Sequence, residues 1–106
     1  MMPIRLDFVR QVAKTCDAYD APKRLMQRAV ECCEKYQDDP ATCARLIAER
    51  ERVLNEQYYR LEKAAAADKD LSGFPVADAF AFTAALGAMG ALRSHVEAAA
   101  AERRAA

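Results

Sequence analysis

The segment CCEKYQDDPATCA, residues 32–44, decides the fold because it places a helix stop beside a helix start. Asp39 is of the type that caps a helix N-terminus, and Pro40 suits the first helical turn, where a missing N–H costs nothing. We therefore expect one helix to end before Asp38 and another to begin at Pro40. Helices joined by so short a turn form an antiparallel hairpin.

The residues before this turn predict two short helices. The first runs from Pro3 or Ile4 to about Tyr19, and Asp20 then caps a second helix with Pro22 near its start. Each of them is about 24 Å long. Their apolar stripes are Phe8, Val9, Val12, Cys16 and Tyr19 in the first helix and Leu25, Met26, Ala29, Val30, Cys33 and Tyr36 in the second.

The residues after the turn predict two long helices. The third helix extends from Pro40 to about Ala67, roughly 40 Å. The segment DKDLSGFP, residues 68–75, carries turn residues, and a last helix follows from about Val76 to Arg103. Because the third helix overhangs its short partners, we expect the last helix to fold back along it. The stripe of the third helix is Cys43, Ile47, Leu54, Tyr58, Leu61 and Ala65.

These elements predict an all-α fold, in which two short helices form hairpins with a long third helix and a long Ala-rich C-terminal helix completes the chain. No segment alternates polar and apolar residues for long enough to form a strand. We divide the chain into a cysteine-bearing helical hairpin region (1–67), a linker (68–75) and the Ala-rich helix (76–106). Together they are expected to form one structural unit.

The composition indicates a thin core and a neutral surface. Hydrophobic residues make up 53% of the 106 residues, but many of them are alanine, and tryptophan is absent. Alanine buries little apolar area, so a staple or a partner protein is expected. The 16 basic residues equal the 16 acidic ones, which argues against nucleic-acid binding. The N-terminal segment lacks the features of a secretory signal and is expected to belong to the mature protein.

The four cysteines lie at positions 16, 32, 33 and 43, all in the first half of the chain. A bond between the neighbours Cys32 and Cys33 would close a strained ring, which leaves 16–32 with 33–43, or 16–33 with 32–43. Cys33 and Cys43 are each five residues from Asp38, and residues equidistant from the turn lie side by side in a hairpin. This favours a Cys33–Cys43 disulfide, with Cys16–Cys32 as the second pair. The second pair needs the first two helices to be shifted along their axes by about 9 Å, or a longer loop between them.

Two other interpretations of the cysteines are open. Buried free thiols are common core residues, so the cysteines are also compatible with a reduced protein. A zinc site needs converging ligands that include a closely spaced but non-adjacent pair. Cys32 and Cys33 are adjacent and His95 is remote, so no metal site is expected.

The segment from Cys33 to Cys43 has nine residues between its cysteines and an Asp-Pro turn before the second one. It resembles the inner cysteine pair and turn of coiled-coil-helix-coiled-coil-helix (CHCH) proteins, closest in look to accessory subunits of mitochondrial complex I. The resemblance covers about residues 22–55, and the positions of the family's outer pair hold Lys23 and Val53. It implies oxidative folding in the mitochondrial intermembrane space, import without a cleaved presequence, and service in a respiratory complex.

The stretch 74–92 is the most apolar part of the chain, with Asp78 as its only charge. A bilayer span needs about 20 apolar residues, and this stretch is rich in Ala, so a buried helix packed on the third helix is favoured. Membrane contact through 74–92 is the alternative. Because its large side chains are spread around the helix, the predicted partner-protein interface is Phe80, Phe82, Leu86 and Met89.

The chain shows no phosphate loop, nucleophile elbow or metal-binding pair. His95, the single histidine, is interpreted as a surface or capping residue. We therefore expect a non-catalytic protein without a cofactor, an accessory or assembly subunit bound to the other subunits of a mitochondrial membrane complex. The respiratory chain, on the intermembrane-space side of the inner membrane, is the leading candidate. The alternatives are a soluble cytoplasmic adaptor or regulatory protein with reduced cysteines and, third, a redox or metal-handling protein.

Overall fold

The computed structural model describes residues 4–67 and 76–105, and the regular structure within those ranges is entirely helical. The helices are α1 (Leu6–Lys14), α2 (Asp20–Lys35), α3 (Pro40–Ala67) and α4 (Val76–Ala105). The predicted all-α fold is confirmed. The predicted linker, 68–75, lies outside the described residues.

The start of α3 follows the prediction from the Asp-Pro pair. The Thr42 N–H donates to Asp39 Oδ1 at 3.2 Å, and the Thr42 hydroxyl donates to Asp39 Oδ2 at 2.6 Å. These two hydrogen bonds lower the pKa of the Asp39 carboxyl group. Asp39 therefore caps the helix, and Pro40 is its first residue.

The junction between α1 and α2 differs from the prediction. Helix α1 ends at Lys14 instead of Tyr19, and the next residues form a turn in which the Thr15 hydroxyl donates to the Val12 carbonyl at 2.7 Å. Such a local bond offers the backbone an alternative to further helix. Asp20 is the first residue of α2 and not its cap, since the capping position is Tyr19, which makes no side-chain cap bond.

Helix α4 runs antiparallel along α3, as the overhang predicted. The rings of Tyr58 and Phe82 are 6.2 Å apart near one end. Midway, Arg93 Nε donates to Glu51 Oε2 at 2.5 Å. At the other end of the pair, Arg103 donates to the backbone carbonyl of Asp38. Helices α1 and α2 pack on each other and on α4, and α2 also packs on α3.

The core is built mainly from the stripes that the sequence indicates. The predicted Leu61 and Ala65 fall outside the side chains that the structure describes. Large side chains with almost no exposure are contributed by all four helices and joined by small alanines from α4. The described buried set includes Val9, Cys16, Met26, Cys33, Cys43, Ile47, Leu54, Met89, Leu92 and Val96.

The molecule is elongated, with principal extents of 55 × 24 × 15 Å. Its radius of gyration is 15.5 Å, compared with about 13 Å for a compact domain of this length. A long, thin bundle leaves more surface per residue than a compact one. Across residues 4–67 and 76–105, no helix combines the length and apolar character needed to cross a bilayer.

Candidate functional site

The structure brings Cys33 and Cys43 together as expected from the hairpin. Both side chains are fully buried, and the Cys43 thiol donates to the Cys33 sulfur across 3.7 Å. Both are free thiols, because bonded sulfur atoms lie about 2.05 Å apart. The disulfide itself therefore stays a prediction.

Burial and hydrogen bonding shift the pKa values of Cys32, Cys33 and Cys43, which form one cluster, in different directions. The hydrogen bond between the Cys43 and Cys33 thiols lowers the pKa of Cys33 and raises that of Cys43. The neighbouring Cys32 is partly buried, and burial, followed by the proximity of Cys43, raises its pKa to about 11. Thiols with raised pKa values, here Cys32 and Cys43, are poor nucleophiles at neutral pH. No group of three or more His, Cys, Asp or Glu side chains among the described residues could hold a metal ion.

Cys16 lies apart from this cluster, which corrects the expected Cys16–Cys32 pair. Its thiol lies in the turn before α2 and donates to the Ala84 carbonyl of α4 at 3.6 Å. Cys32 lies near the far end of α2, about 18 Å along the helix from Asp20. The contact of Cys16 with α4 places it away from Cys32, and both residues are free thiols.

The predicted partner interface on α4 divides into an outer and an inner part. Phe80 is 61% exposed, whereas Phe82 and Leu86 are half-buried. Met89 is fully buried and belongs to the core, so it cannot contribute to a surface, which corrects its assignment to the interface. The missed signal is a stripe in which alanines complete the apolar face: Ala85, Ala88, Met89, Leu92, Val96 and Ala99.

An open groove of about 430 Å³ lies beside Phe82, between the start of α2, the middle of α3 and the start of α4. Its surface is largely apolar, and its polar residues include three arginines. The apolar lining comprises Ala21, Pro22, Leu25, Val53, Leu54, Ala81, Phe82 and Ala85, and the polar lining comprises Arg24, Arg28, Arg50 and Gln57. We call this site the arginine groove.

The three arginines of the groove are exposed, and none forms a hydrogen bond or ion pair with another described residue. Some other arginines in the chain are paired: a guanidinium nitrogen of Arg52 lies 2.6 Å from Glu49 Oε1, and Arg93 Nε lies 2.5 Å from Glu51 Oε2. The sequence holds one sign of this difference that the periodicity analysis missed. Arg50 has only apolar residues three and four positions away on its own helix, so no carboxylate lies at the spacing of a helical ion pair. Its charge contributes, after that of Arg52, to the lowered pKa of the adjacent Glu49.

His95 proves to be a structural contact between α1 and α4. The backbone N–H of Arg5 donates to His95 Nε2 at 2.9 Å, and the rings of Phe8 and His95 are 4.9 Å apart. Burial, and then the positive charge of Arg5, lowers the pKa of His95. His95 is half-buried, and it accepts the N–H of Arg5 at the start of α1. It is therefore not a simple surface residue.

Comparison with known proteins found no matching family model, no similar curated protein and no similar solved structure.

Proposed function

We propose that this protein is a non-catalytic docking subunit that binds a larger assembly through the arginine groove and the adjoining start of α4. The observation that carries the proposal is the apolar surface at this end: the open, largely apolar groove beside Phe82, and the ring of Phe80 on the same turn of α4, which is 61% exposed. Exposed apolar surface bordered by polar groups is typical of protein interaction sites.

The shape and chemistry of the chain support this proposal. An elongated bundle 55 Å long presents a large surface for its mass, as suits a protein that lies along a partner. The acid–base groups with displaced pKa values are buried thiols, ion-paired side chains, the Asp39 cap and the α1–α4 histidine. Each of these groups has a structural explanation, so they support binding and not catalysis.

Site-specific photo-crosslinking in the source cells tests the proposal. A benzoylphenylalanine placed at Phe80 should form a discrete crosslink to one partner protein. The matched control is the same group at Arg104, which is exposed at the opposite end of α4. Equal and diffuse crosslinking from both positions would contradict a docking role for the groove end.

The finer proposal is an accessory or assembly subunit of a mitochondrial membrane complex, with the respiratory chain as leading candidate and the intermembrane space as its compartment. The adjacency of Cys33 and Cys43 supports it, because oxidation of the pair would produce a stapled hairpin. The free thiols equally suit a cytoplasmic adaptor with reduced cysteines. Trapping the thiols in intact cells separates these forms: a protected Cys33–Cys43 pair favours the first, and complete alkylation after denaturation without reductant favours the second.

A further inference from the structure

We infer that the arginine groove binds an acidic amphipathic helix of a partner protein, with the apolar face of that helix on the groove floor and its carboxylates on Arg24, Arg28 and Arg50. The inference rests on the proposed function, because it names the chemistry of the partner for the same surface.

The dimensions of the groove suit a short helical segment. Along α2 its lining extends from Ala21 to Arg28, and along α3 it extends from Arg50 to Gln57. Each stretch is about two helical turns, or roughly 10 Å. The volume of about 430 Å³ accepts a few apolar side chains and not a whole helix, so the helix would lie across the opening. An amphipathic helix presents such a row of apolar anchors on one face.

The charge around the groove selects an acidic partner. Arg24 and Arg28 are one turn apart on α2, and Arg50 belongs to α3, so the guanidinium groups come from two of the bordering helices. The net formal charge of the chain is zero, and these three guanidinium groups border one groove. Arginine pairs with carboxylates through parallel N–H···O bonds, and these three side chains have no such partner among the described residues.

The distribution of charge favours a helix over a single-chain anionic amphiphile. A fatty acid carries one charged end and would place it against one arginine or one helix. A helix with acidic residues on both sides of its apolar stripe presents several carboxylates at once. Phe80, two residues before Phe82 on α4, is also exposed, and a longer partner can reach it.

Binding of designed peptides to the full chain tests this inference. The probe is a fluorescein-labelled amphipathic peptide of about 18 residues, long enough to form a helix. It carries Leu at helical spacing and Glu on both flanks, and a second peptide replaces every Glu with Gln. Anisotropy titrations should show the Glu peptide binding about tenfold more tightly, because several exposed ion pairs act together. Raising NaCl from about 0.05 M to about 0.5 M should remove most of this preference.

Matched variants locate the binding site. Arg24→Gln, Arg28→Gln and Arg50→Gln combined should weaken the Glu peptide about tenfold. The control combines Lys35→Gln, Arg45→Gln and Arg104→Gln, which removes the same charge at the other end of the bundle and should change affinity by less than about twofold. Circular dichroism verifies the fold. The single variant Arg50→Gln, which should lose about threefold, replaces the triple if the triple does not fold.

Each outcome decides between the inference and its rivals. Equal binding of the Glu and Gln peptides, or an equal loss in both triple variants, would overturn the acidic partner. Saturable binding of laurate with no binding of the Glu peptide would assign the groove to a single-chain amphiphile and overturn the inference. A discrete crosslink at Phe80 without peptide selectivity would leave the docking subunit standing and refute the acidic helix. Selective peptide binding without any crosslink would support the groove chemistry and refute the docking role in the source cells.

Discussion

The two ends of this bundle differ in how their side chains are packed and hydrogen-bonded. At the turn between α2 and α3, which we call the closed end, Asp39 caps α3, the buried thiols of Cys33 and Cys43 touch, and Arg103 of α4 donates to the Asp38 carbonyl. At the groove end, the cavity beside Phe82 is open and its arginines have no described partner. The capping carboxylate, the two thiols and the Asp38 carbonyl are bonded within the chain at the closed end, and the three groove arginines are not bonded to a described residue at the other.

The difference indicates that folding stability and partner binding depend on different ends of this alanine-rich chain. Small side chains allow helices to approach closely, and the closed half of α4 buries Val96, Ala99 and Ala100 almost completely. Larger apolar groups near the start of α4 have no comparable cover, as the exposure of Phe80 shows. The closed end should therefore carry most of the folding free energy, and the groove end should carry most of the binding free energy.

The largest expected difference between the two ends concerns side-chain truncation. Ile47, which is 2% exposed, packs in the core on the closed side. Ile47→Ala should lower the free energy of unfolding by about 3 kcal/mol, because it removes buried apolar area and leaves a cavity. Phe80→Ala should lower it by less than about 0.5 kcal/mol, because that ring is mostly in water. Urea unfolding measures both, and similar losses would remove the contrast between the ends.

The sequence was sufficient for the elements of the closed end. The Asp-Pro pair predicts the cap and start of α3, and equal distance from Asp38 predicts the meeting of Cys33 and Cys43. These are local signals, in which the residues that specify a feature are close together in the chain. The antiparallel course of α4 along α3 also follows from helix lengths alone.

The groove end was less predictable because it is assembled from distant segments. The groove combines residues of α2, α3 and α4, and its apolar lining consists of side chains that also belong to core stripes. Met89 was misplaced because alanines complete the buried face of α4, and alanine carries a weak periodic signal. At the early end of α1, the Thr15 hydroxyl and the backbone N–H groups of residues 15–17 all bond to carbonyls three residues back, a local arrangement that apolar periodicity does not indicate.

Oxidation should strengthen the closed end further. A bond between Cys33 and Cys43 closes a loop of about ten residues and should stabilise the chain by about 2–3 kcal/mol. Non-reducing peptide mapping should recover the linked pair from protein exposed to an oxidised glutathione buffer, and urea unfolding measures the gain. Cys16→Ser serves as the control, because Cys16 contacts α4 instead of the pair. Recovery of Cys33 linked to Cys16 would contradict the observed arrangement.

The capping bond at the closed end has a matched control at the entry to α2. Asp39→Ala removes both hydrogen bonds to Thr42 and should cost about 1 kcal/mol. Asp20→Ala removes an exposed carboxylate at the start of α2, where the capping position makes no side-chain hydrogen bond, and its cost should be about 0.3 kcal/mol from the helix dipole alone. Thermal unfolding of the two variants side by side measures the difference. A larger loss of stability for Asp20→Ala than for Asp39→Ala would contradict the conclusion that Asp39 is the stronger helix cap.

The smallest expected effect is a pH dependence that acts on folding and leaves the groove unchanged. His95 has a lowered pKa in the folded chain, because of burial and then the charge of Arg5. Above a pH of about 6.5 the histidine is neutral in both the folded and unfolded states, and its contact with the Arg5 N–H contributes fully. As the pH falls through that value, the unfolded chain takes up the proton first, so the free energy of unfolding decreases until the lower folded-state pKa has been passed.

A non-titrating variant isolates this contribution. His95→Gln retains an acceptor for the Arg5 N–H, and urea midpoints of the wild type and the variant at pH values of about 7.5 and 5.5 give the difference. The wild type should lose more stability than the variant between these pH values, since His95 is the only histidine. Glu-peptide affinity should change little over the same range, because a guanidinium group does not titrate near neutral pH. An equal loss of stability in both proteins would show that the contact between α1 and α4 does not depend on the charge of His95.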